Sequence, residues 1–317
     1  MNRTFTLKAF LLIVCCHYFS ANGQQPPIAK KDNKSYTIIQ IGAGILPFAN
    51  NKDGLLGISF PYSVTDSSGT TIDTSFSKKT KPFSNSLLAA ILPISVEFGT
   101  EKIFGSVQFI VIPTPNGSFI GLTGGYGRNF YYSGFDMHPS NAEKGTLVLK
   151  PSLNISFRQY GYGLFSGNSN VLGEIDNSYK TINLLGHTID PTFDVTNTDN
   201  NTNVTTTTTY NATVLDLNYV HREWVLMPKI AIASNQYKHH FYWEVNLGYN
   251  IALSKKDGIG LIQSDDGGDS KRLAFINLYN KNTLVTYNNN VITKSPYNFS
   301  GLFFGFSIGW VVSKKKQ

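Results

Sequence analysis

The run HFYWEVNLGYNIAL, residues 240–253, alternates without a break. Phe241, Trp243, Val245, Leu247, Tyr249, Ile251 and Leu253 hold the odd positions, and Glu244, Asn246, Gly248 and Asn250 stand among the even ones. A period of two is the period of a strand, and it sets a wholly apolar face against a polar or small one. The run is also far longer than the ~5–6 residues of an ordinary soluble strand. A chain that repeats such a pattern is committed to antiparallel sheets with two unlike faces.

The pattern does repeat. In TLVLKPSLNISFRQY, Leu147, Leu149, Leu153, Ile155 and Phe157 lie opposite Lys150, Ser152, Asn154, Ser156 and Arg158. In REWVLMPKIAI, Trp224, Leu226, Ile230 and Ile232 lie opposite Glu223 and Lys229. Further strands are expected at 36–48, 55–64, 87–98, 103–113, 118–128 and 213–219, with fainter alternation at 179–189 and 284–293. A slip of hydropathy phase near 219–222 predicts a tight turn or a bulge. Polar segments at 65–85, 131–145, 161–178, 190–211 and 254–297 read as long loops, and NTDNNTNVTTTTTYNAT, with no apolar face to bury, as an exposed one.

The last run, GLFFGFSIGWVV, carries two conflicting signals. Gly301, Gly305 and Gly309 have the four-residue spacing by which membrane helices pack. A helix of this length would reach roughly 18 Å, short of a ~30 Å hydrocarbon core, whereas a strand reaches about 40 Å. The glycines then share one strand face with Phe303, Ser307 and Val311, opposite Leu302, Phe304, Phe306, Ile308, Trp310 and Val312. Small residues on that face relieve crowding inside a narrow sheet or against the first strand.

Residues 1–23 read as a secretory signal peptide, with Arg3 and Lys8 before an apolar core and Ala21-Asn22-Gly23 as the cleavage site. Both cysteines of the chain, Cys15 and Cys16, fall in this segment, so the exported remainder has no disulfide to rely on. Of the +7 formal charge, the remainder keeps 25 basic against 20 acidic residues, a net of +5. No basic stretch interleaved with aromatics supports nucleic-acid binding. After 1–23 come a short linker at 24–34, the strand-rich body at 35–312 with a long loop at 254–297, and a basic tail at 313–317.

A leader, a cysteine-free body, long amphipathic strands, polar loops and a glycine-aromatic final strand together resemble the outer-membrane β-barrel proteins of Gram-negative bacteria. The likeness covers roughly residues 35–312 and rests on pattern. It implies an all-β fold: an antiparallel transmembrane β-barrel of about 8–12 strands, with about ten preferred, and long polar outer loops. It implies location in the outer membrane, the lipid bilayer as partner, and the barrel-assembly machinery, which in that family reads an aromatic-ended last strand. Trp310 and LFFGFSIGW match the body of that signal; VVSKKKQ, which follows, departs from it.

In such a barrel Lys150, Arg158, Glu223, Lys229 and Glu244 are the candidate lumen-facing charges, and Tyr36, Tyr160, Trp224, Trp243 and Trp310 the candidate membrane-interface aromatics. Three roles follow: passage or binding of small solutes through the lumen, a scaffold or adhesin acting through its loops, or, outside the membrane, a secreted β-sandwich binding protein. In a narrow barrel the inner charges pair across the lumen and plug it. The N-x-S/T triplets at Asn116, Asn154, Asn203, Asn211 and Asn298 suit the secreted reading, although Asn154 lies mid-strand. His138, His187, His221, His239 and His240 stand in no nucleophile or metal spacing, so catalytic, cofactor and metal sites are not expected. Asp265, Asp266 and Asp269 lack the distal ligand of a calcium loop and read as a solvated turn.

Overall fold

The computed structural model describes residues 34–45, 54–81, 90–91, 93–114, 117–139, 141–168, 179–190, 192–199, 203–211, 214–264, 269–279, 282–297 and 300–315. Segment 1–23, most of the 24–34 linker and the end of the basic tail lie outside them. Every regular element among the described residues is a β-strand, and every strand pairing is antiparallel.

Eight strands form the frame: β1 (Ser35–Ile45), β2 (Pro93–Thr100), β3 (Ile103–Thr114), β4 (Gly117–Arg128), β5 (Leu147–Asn168), β6 (Val214–Ser234), β7 (Phe241–Ser264) and β8 (Gly301–Lys315). Each is hydrogen-bonded to the strands before and after it in this series. The last, β8, pairs with β1 from Ser35↔Lys315 to Ile45↔Phe304, so the order of pairings returns to its start. Eight strands stand in this cycle, at the low end of the expected range.

With 22, 21 and 24 residues, β5, β6 and β7 are two to three times as long as β2, with its 8, and run well past it. Over their far halves lies a six-stranded sheet drawn from three connections: strands Leu56–Asp66 and Thr71–Thr80 between β1 and β2, Tyr179–Leu184 and His187–Ile189 between β5 and β6, and Leu284–Tyr287 and Asn290–Val291 between β7 and β8. This sheet is the cap. Strand Ser270–Asn277 pairs with the far half of β7, and Thr192–Asp199 with Val204–Asn211 makes a separate hairpin. At the opposite end the turn at 101–102, the hairpin Phe130–Ser133/Asp136–Pro139 and the turn at 235–240 connect the strands.

Several segments expected to be loops are therefore strands. Residues 254–297 contain the end of β7 and three further strands, and the Thr/Asn-rich run is a hairpin turning at Asn203, whose φ is 54°. Hydropathy hid these elements for a physical reason. Along Thr71–Thr80 and the Thr/Asn hairpin nearly every residue is exposed on both faces, so no apolar alternation is needed.

The phase slip at 219–222 also has a different cause. Odd-numbered residues of β6 face the interior without interruption from Leu215 to Ala233, so there is no turn. What changes is the chemistry of that face: Leu215, Leu217 and Tyr219 are followed by His221 and Glu223. The register shift against β7 lies further along, between Trp224 and Val225, where Leu253 is the extra residue.

On the cap side the interior is an ordinary apolar core. Tyr160, Leu164, Leu217, Tyr219, Ile259 and Leu261 of the long strands pack against Leu56, Ile58, Phe60, Ile182, Leu184 and Val285 of the cap. On the other side of the His221–Glu223 level the buried face turns polar: Lys150, Ser152, Asn154, Ser156 and Arg158 follow one another along β5, all buried.

Candidate functional site

Outside the frame the order is reversed. Where the buried face is polar, the exposed face is apolar, and on every strand of the cycle: Ile41, Phe98, Phe109, Leu122, Ile155, Ile232, Leu247 and Phe306 are all solvent-exposed. Soluble monomers rarely expose contiguous apolar surface beyond a few hundred Å². An apolar face on eight consecutive neighbours exceeds that. Beyond Trp224 toward the cap, the outward positions of β6 and β7 become Arg222, Asn218 and Lys256. Both faces thus change character at one level and in opposite senses.

All five expected inner charges lie on the buried face and meet there. Lys150 Nζ lies 2.5 Å from Glu97 Oε2 and 3.3 Å from Glu244 Oε2, and Lys229 Nζ lies 3.1 Å from Glu244 Oε1. Tyr242 donates to Glu244 (2.8 Å) and Tyr36 to Glu97 (2.8 Å). One level up, Arg158 stands opposite Glu223 in the β5–β6 register and donates to Asn250 Oδ1 at 3.2 Å. Three cations and three carboxylates balance. A buried ion surrounded by partners is tolerated where an unpaired one is not, because desolvation costs several kcal/mol per charge.

The balanced network leaves little space. A cavity of about 70 Å³ remains, touched by Gln40, Glu97, Thr123, Asn154, Lys229 and Ser307. That holds a few waters, each needing roughly 10–15 Å³ by this measure. Beyond the network, Tyr36, Tyr131 and Tyr242 are buried toward the short-turn end, and the cap core fills the other.

Of the five expected interface aromatics, Trp224 and Trp310 are exposed, at 48% and 56%, and mark the two ends of the apolar zone. Trp224 packs on Phe157 with ring centroids 5.2 Å apart, and Trp310 meets Phe241 edge-on at 6.4 Å. Trp243 is half-buried on the same face. Tyr36 and Tyr160 are corrected: both are buried on the inner face. Their parity explains it, since Tyr160 follows Lys150 and Arg158 by even steps and Tyr36 precedes the buried Ile38 and Gln40 in the same way.

Three participants escaped the sequence reading. Glu97 was signalled by the exposed Ile94, Val96 and Phe98, whose alternation turns it inward. Asp257 was hidden in a stretch read as loop. Its Oδ1 lies 2.6 Å from His221 Nδ1, both groups fully buried, and Tyr279 donates to its Oδ2 at 2.7 Å. Ser295 Oγ approaches the same His221 Nδ1, at 3.4 Å. A hydrolytic relay needs serine and carboxylate on opposite ring nitrogens, so this cluster has the geometry of a brace between wall and cap. Among the described residues no group of His, Cys, Asp and Glu has metal-binding geometry, and Asp265 and Asp266 lie outside them.

No family model, no curated protein and no solved structure matches this chain.

Proposed function

We propose that the chain is an eight-stranded transmembrane β-barrel with a plugged interior, serving as a membrane-anchored scaffold that presents its cap on one side. One observation carries the reading: the two faces of the cyclic frame exchange polarity at a single level, polar inside and apolar outside below it, the reverse above. A soluble sandwich buries its apolar face throughout. A barrel in lipid must expose it over a limited height and closes its strands on themselves because lipid offers no partner for an open edge.

The dimensions agree. On β5 the outward apolar residues run from Leu147 to Phe157, about 33 Å along the strand, or roughly 25 Å when tilted by ~40°. The balanced inner charges and small cavity support a plug over a solute path. The leader-like start and cysteine-free remainder fit export to an outer membrane.

The experiment is direct. The exported chain, purified and tested in detergent, should partition with the detergent phase and migrate differently on a gel before and after boiling. In a planar bilayer it should pass ions no faster than protein-free controls. A chain that stays in the aqueous phase removes the membrane reading, and stepwise single-channel currents remove the plug.

A further inference from the structure

On the cap side of Trp224 the outer face of three adjacent strands gathers cations in a shaped setting. Arg222 of β6 and Lys256 of β7 are registered partners, two residue pairs beyond Trp224↔Ser254. Arg222 donates from Nε to Gln159 Oε1 at 2.9 Å, and its guanidinium lies 4.1 Å from the centre of the Phe275 ring. Gly258 makes this possible, because a Cβ there would overlap the Phe275 ring. Arg272 is registered with Ile262, six residues beyond Lys256 along β7. Its side chain reaches back so that Nη2 would lie 3.9 Å from a Cβ on Gly260, two outward positions from Lys256. Among the described residues neither arginine nor Lys256 has an ion-pair partner. Asp216 faces outward across Ile262 from Arg272, about 10 Å away at two strand spacings, so the face stays net positive.

Holding like charges together without a counter-ion is unfavourable, and a preset guanidinium fork matches the oxygens of a phosphate. We infer that Arg222, Lys256 and Arg272 form a binding site for the phosphate of a lipid headgroup in the leaflet on the cap side. The inference rests on the membrane reading above, which sets this cluster at headgroup level directly beyond the last outward aromatics. Lipid is the occupant because the site is continuous with the apolar face: acyl chains would lie along Phe157, Trp224 and Leu253 while the headgroup meets the cations.

The test uses the full exported chain in vesicles of phosphatidylcholine with a minor fraction of spin-labelled phosphatidic acid, beside the triple variant R222Q/K256Q/R272Q. Each cation near an anionic headgroup is worth about fivefold in association, so the wild type should restrict the labelled phosphatidic acid on the order of a hundredfold more than the triple variant. Added salt should erase the difference. Heat-dependent gel migration of both proteins reports insertion separately. Insertion of both with equal lipid preference overturns this inference alone, while failure of the wild type to insert overturns the membrane reading and this inference with it. If inorganic phosphate binds the protein in detergent as tightly as the lipid does, the site belongs to the free anion and the lipid assignment falls.

Discussion

Glu223 and Trp224 are consecutive residues of β6, yet the carboxylate is 1% exposed and the indole 48%. Across the β5–β6 ladder they face Arg158 and Phe157, so one step along the strand separates two registered opposite charges inside from an aromatic pair outside. The strand places the two side chains on opposite faces, but only an apolar exterior makes this choice of residues favourable. The same step marks the boundary above which the inner face becomes the Tyr219–Leu217–Leu215 core.

The exposed apolar face should resist charge in lipid. Phe306→Lys, midway along the outer face of β8, should lose about 2–4 kcal/mol in bilayers, read from denaturant unfolding in lipid vesicles. Thr207→Lys on the exposed hairpin should change stability by less than ~0.5 kcal/mol. Equal, small effects at both sites would mean that Phe306 meets water.

The inner network should respond as a unit. Lys150→Met leaves Glu97 and Glu244 without their shared cation and should destabilise by about 3–5 kcal/mol. Adding Glu97→Gln should recover part of that loss, so the double variant is more stable than the sum of the singles requires. Strict additivity would contradict the shared contacts at 2.5 and 3.3 Å.

The glycine spacing of the last strand has graded consequences. A Cβ at Gly309 would overlap the main-chain carbonyl of Ile39 across the β1–β8 pairing, whereas at Gly305 it would meet the movable amide of Asn246 at 2.7 Å. Gly309→Ala should therefore cost about 1–3 kcal/mol and slow folding into lipid, with Gly305→Ala milder. The fraction of protein migrating as the folded form on unheated gels measures both.

Within the cap, Asp66 carries a pH dependence. Its Oδ1 accepts from the Ser68 hydroxyl at 2.5 Å and from the amides of Ser68 and Thr70 at 2.9 Å, which lowers its pKa below the ordinary carboxylate value. A depressed carboxylate stabilises the fold above its unfolded pKa of about 3.9, and that contribution is lost as pH falls through the folded value. Hydrogen exchange in the Leu56–Asp66/Thr71–Thr80 hairpin should accelerate relative to a distant strand as pH drops below about 4. Asp66→Asn should flatten the trend.

Much of the frame was legible because its strands have two unlike faces. The alternations at 146–160, 222–232, 240–253 and 301–312 foretold which residues face out and brought Lys150, Arg158, Glu223, Lys229 and Glu244 to one side. The same rule, applied to parity, would have moved Tyr36 and Tyr160 inward. The cap was illegible for two reasons. Thr71–Thr80 and the Thr/Asn hairpin bury only isolated residues such as Phe193, and the cap's pairings join segments over 200 residues apart, such as Leu284 with Ser59. The basic cluster was hidden in the same way, because Arg222 adjoins Lys256 only through strand register, and Arg272 reaches the same face only from the strand paired to the far half of β7.

The central claim is that β8 turns one face to lipid. Outside 1–23 the chain has no cysteine, so single labels can be placed cleanly. Leu302→Cys, Phe304→Cys, Phe306→Cys, Phe303→Cys, Ser307→Cys and Val311→Cys would each be spin-labelled in vesicles and relaxed by dissolved oxygen or by a water-soluble nickel complex. The account predicts high oxygen and low nickel accessibility at 302, 304 and 306, and low oxygen accessibility at 303, 307 and 311. Nickel collisions at 302, 304 and 306 as frequent as at an exposed cap residue would contradict it.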